Sequence, residues 1–122
     1  MGLDTTHECW HGPYSFFMAW RVQLHAAITG EPATRESLEA AWKQGRYADQ
    51  SVPINVLMNH SDCDGEIAAD DCLRLAKALE ELLPKLPDND APEAEYTSRG
   101  RAVTFARGLR WAASRRDSVE FR

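Results

Sequence analysis

Two short segments hold most of the side chains able to do chemistry. Thr6-His7-Glu8-Cys9-Trp10-His11-Gly12 places two imidazoles and a thiol at alternate positions, and His60-Ser61-Asp62-Cys63-Asp64-Gly65-Glu66 crowds an imidazole, a thiol and three carboxylates together. Carboxylates packed this closely repel one another unless a cation or hydrogen-bond donors compensate them, so His60, Asp62 and Asp64 read as candidate ligands of a divalent metal. If the first segment is extended, His7, Cys9 and His11 share one face. His7 and His11 would then stand about 13 Å apart at roughly 3.3 Å per residue, so one ion reaches at most two of the three. One or two of them, joined to His60 and to Cys63 or Asp62, make an imidazole, thiolate and carboxylate set suited to zinc or another transition metal. Cys63, Glu66, Trp10 and Tyr14 are the candidate ligand-binding side chains around such a site. As a nucleophile Cys63 is disfavoured by the aspartates on either side, and Cys9 beside two histidines is the better choice. The competing structural reading makes Asp62 and Asp64 turn and helix caps, gives Gly65 a positive φ, and buries Cys9 and Trp10 in the core.

His60-Ser61-Asp62-Cys63-Asp64-Gly65, following a predicted strand and preceding a helix, resembles the first metal motif of the DHH-type phosphoesterases, His-x-Asp-x-Asp-Gly, which supplies ligands to manganese. The resemblance implies ligand roles for His60, Asp62 and Asp64; it covers this segment alone, and the Asp-His-His motif is absent. The same stretch is similar to a calcium loop of the EF-hand kind, with Asp62, Asp64, Gly65, Ile67 and Asp71 in register, but His60 stands at the first ligand position and Asp71 replaces the bidentate Glu. Zinc or manganese is therefore expected ahead of calcium. Together with the ending Leu82-Leu83-Pro84-Lys85-Leu86-Pro87, the two segments resemble a small family of bacteriophage and bacterial proteins without an assigned activity. That resemblance implies an accessory, anti-defence protein that binds a small molecule or a host protein.

Helical periodicity predicts the elements that must position these residues. Gly12-Pro13 opens a helix that Gly30 stops, with Phe17, Trp20, Leu24, Ala27 and Ile28 inward and His25 on a boundary flank beside Met18 and Arg21. Thr34 caps a second helix over about 35–44. Ile54, Val56 and Met58 alternate with Asn55, Leu57 and Asn59, which predicts a short buried strand over 53–58. A strong helix spans about 69–83, with Cys72, Leu75, Ala76 and Leu79 on its stripe, and a last one spans about 98–114, weakened by Gly100 and Gly108. Residues 118–122 alternate as an edge strand beside 54–58, with Leu3 near the same sheet, and 87–96 is an acidic loop expected to be flexible. The sum is an α+β single domain of about four helices packed on a small two- or three-stranded sheet.

The 122 residues fit one domain, large enough to bury about two-thirds of the unfolded surface. A net charge of −5 argues against nonspecific nucleic-acid or anionic-membrane partners, which draw their affinity from Lys and Arg. The charge is polarised: residues 60–96 carry eleven acids against three bases, and 99–122 carry seven Arg against two acids. Two mutually attracting faces explain this, or an arginine-lined anion pocket or partner surface. The N-terminus has no basic segment leading into an apolar core, and three Cys without a disulfide pattern suit a reducing compartment, so the chain is expected in the cytoplasm. The leading expectation is a non-enzymatic binding protein with a composite His/Cys/Asp site for a divalent metal or small polar ligand. The alternatives are a metal-dependent phosphoester hydrolase, and an acidic inhibitor of a host protein.

Overall fold

In the computed structural model, which describes residues 2–122, each chain stop encoded by Gly, Pro or Thr becomes an element boundary. Helix α1 (Tyr14–Thr29) follows Pro13 and ends where Gly30, at φ 75°, turns its N–H back to Ala26 O. Helix α2 (Arg35–Lys43) starts from a reciprocal cap: Thr34 Oγ1 accepts from Ser37 N at 3.2 Å, and Ser37 Oγ accepts from Thr34 N at 2.9 Å. Helix α4 (Ala69–Leu82) carries Asp70 and Asp71 in its positive first turn. Helix α5 (Ser98–Arg115) is capped by Thr97 Oγ1, which accepts from Gly100 N at 3.0 Å. The chain is a single-domain α+β protein. Its helices α4 and α5 pack along each other, and Phe17, Trp20, Leu75, Leu79, Phe105 and Leu109 are among the side chains sealed between the helices.

The predicted strand over 53–58 is a single helical turn, α3 (Asn55–Met58), with Asn55, Val56, Leu57 and Met58 all buried. Burial of Leu57 and Asn55 removes the two-sided alternation on which a strand depends. Donors from elsewhere satisfy the carbonyls at the end of this turn: Arg21 Nη1 reaches Leu57 O at 3.4 Å and His60 O at 2.6 Å, and Trp42 Nε1 reaches Met58 O at 2.8 Å. Arg21 is consequently buried, with its guanidinium against the faces of Phe17 and Trp42, and burial lowers it to about 10. His25, expected on a boundary, is also buried and hydrogen-bonds the Tyr47 hydroxyl.

Two antiparallel pairs replace one sheet. Strand β1 (Gly2–Asp4) pairs with β2 (His11–Pro13), and β3 (Glu66–Ile67) pairs with β4 (Val119–Glu120) rather than with 54–58. An isolated bridge from Thr5 to Phe121 and the exchange between Asp4 and Arg122 backbone groups join them, while Leu3, expected near a sheet of 54–58 and 118–122, pairs with Gly12 instead.

Gly100 and Gly108 have a packing role instead of the weakening one read from propensity. A Cβ on Gly108 would lie 2.5 Å from Cys9 Sγ and 2.6 Å from His7 O, and one on Gly100 would lie 2.0 Å from Ala94 O. Only glycine lets the 3-10 turns Thr6–Glu8 and Ala94–Tyr96 lie directly on α5. The acidic loop expected to be flexible is fastened at several points. Arg99 Nε donates to Leu83 O and Leu86 O, its Nη1 pairs with Asp88 at 3.2 Å, and Asp90 accepts from Ser98 N at 2.8 Å.

Candidate functional site

The first segment is not extended. Thr5 closes it into a tight turn by exchanging bonds with Trp10: Thr5 N donates to Trp10 O at 3.1 Å, and Trp10 N donates to Thr5 Oγ1 at 2.9 Å. His7 and Glu8 pass through left-handed backbone, at φ 61° and 59°, so His7, Cys9 and His11 leave the chain in three directions. His7 Nε2 pairs with Asp117 Oδ2 at 3.0 Å and its ring meets Trp111 edge-on. Cys9 is buried against α5, and burial pushes its thiol up to about 12, the reverse of what a nucleophile needs. His11 is exposed, 3.5 Å from Asp4.

The middle segment is organised by its own backbone. His60 Nδ1 lies 2.8 Å from Ser61 O and Nε2 lies 3.0 Å from Glu66 O, while the ring stacks 4.0 Å from Phe121. Each ring nitrogen faces a backbone carbonyl oxygen, so neither is directed at a position an ion could take. Asp62 is half-buried, Asp64 and Cys63 are exposed, and Glu66 accepts from Ser118 Oγ at 3.0 Å. The two segments are neighbours through β4, where Glu120 N donates to Thr6 Oγ1 at 2.9 Å, but their imidazoles face different partners. Among the described residues, no group of three or more His, Cys, Asp and Glu is arranged to hold a metal ion. The set read from the sequence does not fit an ion in this arrangement. Tyr14 packs against the core.

The structure instead gathers aromatic side chains around a groove of about 780 Å³, walled by Trp10, Gly12, Phe16, Trp20, Tyr96 and Arg101. Phe16 and Tyr96 stand at its rim, 56% and 51% exposed. From the floor an aromatic ladder runs into the core: Trp10 to Trp20 at 5.2 Å, then Trp20 to Phe105 at 5.3 Å. Arg101 is held between two rings, its Cζ 4.1 Å from the Trp10 centroid and 4.8 Å from that of Tyr96, and Nη1 donates to His11 O at 3.3 Å. Partial burial lowers the Arg101 guanidinium from its ordinary value, yet it forms no ion pair among the described residues.

One polar atom at this floor lacks a partner. Trp20 Nε1 donates to Ser98 O at 3.1 Å and Trp42 Nε1 to Met58 O, but Trp10 Nε1 is buried and has no acceptor. Leaving such a donor unpaired costs about 1–3 kcal/mol.

No family model, curated protein or solved structure matches this chain.

Of the groove residues, sequence reasoning singled out Trp10 and His11 and noted an arginine-lined anion pocket as an alternative use of the C-terminal helix. Phe16, Tyr96 and Arg101 were missed as site residues. Trp10 and Arg101 lie ninety-one positions apart, and only the antiparallel β1–β2 pair and the glycine contacts along α5 bring them together. Among the described residues, no helix is long and apolar enough to cross a membrane.

Proposed function

We propose that this chain is a non-enzymatic binding protein whose small-molecule ligand lies in the groove between the Trp10–Phe16 segment and the start of α5. The single observation that carries the reading is the unpaired Trp10 indole N–H at the floor of an aromatic groove, beside a guanidinium with no carboxylate partner. Concave, mainly apolar sites with a few placed polar groups are the usual form of small-ligand pockets. The half-exposed Phe16 and Tyr96 supply apolar area at the rim, and Arg101, clamped by two rings, is already ordered, so little rotamer entropy is lost when it is engaged. The two thiols that burial pushes up, Cys9 and Cys72, lie outside the groove walls, which favours binding over thiol chemistry there.

A fragment screen followed by nitrogen–proton correlation NMR tests this. Aromatic fragments are expected to move the Trp10 indole signal and the Tyr96 and Arg101 amides. A screen in which no fragment moves them, or in which hits cluster on another face, defeats the proposal.

A further inference from the structure

The polar end of the groove narrows the class of ligand, an inference that rests on the groove being the binding site. The position a Cβ on Gly12 would take lies 3.6 Å from Trp10 Nε1, 3.6 Å from Arg101 Nη2 and 3.9 Å from Arg101 Nη1. Trp10 Nε1 and both terminal nitrogens of Arg101 therefore converge on one face of Gly12. All three atoms are donors. A matching ligand group must therefore be an acceptor, and two donors on one guanidinium favour an oxyanion with two oxygens.

Neither carboxylate near the groove is paired with Arg101. The Asp90 carboxylate is engaged by Ser98 N and Ser98 Oγ at the start of α5. His11 is solvent-exposed at the rim and leans toward Asp4. Glu95 acts on Arg101 only at a distance, without forming an ion pair. Next to the donors, Trp20, Phe16 and Tyr96 offer faces and edges to a flat apolar body.

We infer that the groove binds aromatic acids, with a carboxylate or phosphate seated beside Gly12 on Trp10 Nε1 and Arg101, and the ring against Phe16, Trp20 and Tyr96. The indole N–H, which the fold leaves without an acceptor, is paired when the acid enters. A neutral ligand of the same shape gains the ring contacts but not the charge-assisted bonds.

The test compares naphthoate, naphthyl phosphate and neutral naphthamide by calorimetric titration against the full chain and the variants Arg101→Gln and Trp10→Phe. The acids are expected to bind the full chain at least about tenfold more tightly than the amide, the value of one charge-assisted bond. Arg101→Gln should remove that preference while leaving amide affinity within about threefold. Trp10→Phe keeps a ring at the floor and should weaken acid binding alone; circular dichroism and a cooperative melt establish that each variant is folded. A stronger response to naphthoate than to the phosphate, or the reverse, assigns the natural head group. Equal affinities for acid and amide overturn the anion inference while preserving the groove as a binding site. Absence of binding by all three probes overturns both.

Discussion

Replacing Gly100 by Ala tests the link between backbone packing and the groove. On propensity alone the change favours α5 by up to about 1 kcal/mol. The structure reverses the sign. The new Cβ would lie 2.0 Å from Ala94 O, 2.9 Å from Glu95 C and 3.0 Å from Ala94 C, where an ordinary contact begins near 3.4 Å. All three obstacles are backbone, so no side-chain rotation relieves them, and the Ala94–Tyr96 turn must retreat by more than an ångström. Overpacking of this kind costs about 1–3 kcal/mol. With rigid backbone as the obstacle the upper part of that range applies, about 2–3 kcal/mol, and after a propensity gain of about 1 kcal/mol a net loss of about 1–2 kcal/mol is expected. For a domain of this size that is a fall in Tm of roughly 3–8 °C. Urea titration followed by tryptophan fluorescence measures the loss, with the slope of free energy against urea unchanged. Because the displaced turn carries Tyr96, one of the rings holding Arg101, naphthoate affinity should fall as well. A Gly100→Ala protein as stable as the parent, or more stable, would refute the argument that glycine is there for close approach.

Three further outcomes follow from the packing of buried and exposed side chains. Of the three thiols, only exposed Cys63 should react rapidly with a disulfide reagent in the native state, since burial raises both Cys9 and Cys72; Cys63→Ser should abolish the fast phase, and rapid labelling of Cys9 would contradict the packing. Burial, assisted by Arg46, lowers His25 from its ordinary value, so the unfolded chain binds the proton more readily than the folded one. The contribution of neutral His25 should be complete above about pH 6.5 and decline as pH falls through the depressed folded value; Tm measured from about pH 7 to 5 should drop less steeply for His25→Gln than for the parent. His60→Ala removes the ring that faces Ser61 O and Glu66 O, with one N–H for one of the two carbonyls, and uncovers Phe121, a loss of about 1 kcal/mol expected in urea titration.

The long helices were legible because their apolar spacing and their stops agree: Gly30 and Pro84 end runs whose stripes match the buried residues. The short elements were not. Five alternating residues at 54–58 carry too little periodicity to separate a strand from one helical turn, and the turn is fixed by Arg21 and Trp42 from distant helices. The same limit applies to 6–11, where left-handed His7 and Glu8 have no local signature and depend on Thr5 closing the loop and Gly108 receiving it. The crowded aspartates and histidines attracted the chemical reading because local density is visible in sequence. The groove was hidden because its donors, Trp10 and Arg101, become neighbours only through tertiary packing, and an unpaired indole N–H is a property of the folded state alone.

A crystal structure of the chain grown with naphthoate tests the groove most directly. The expected result is a carboxylate beside Gly12 within hydrogen-bonding distance of Trp10 Nε1 and an Arg101 terminal nitrogen, with the ring system between Phe16 and Tyr96. Naphthoate bound on another face, with the indole N–H paired to an acceptor of the protein itself, would contradict it.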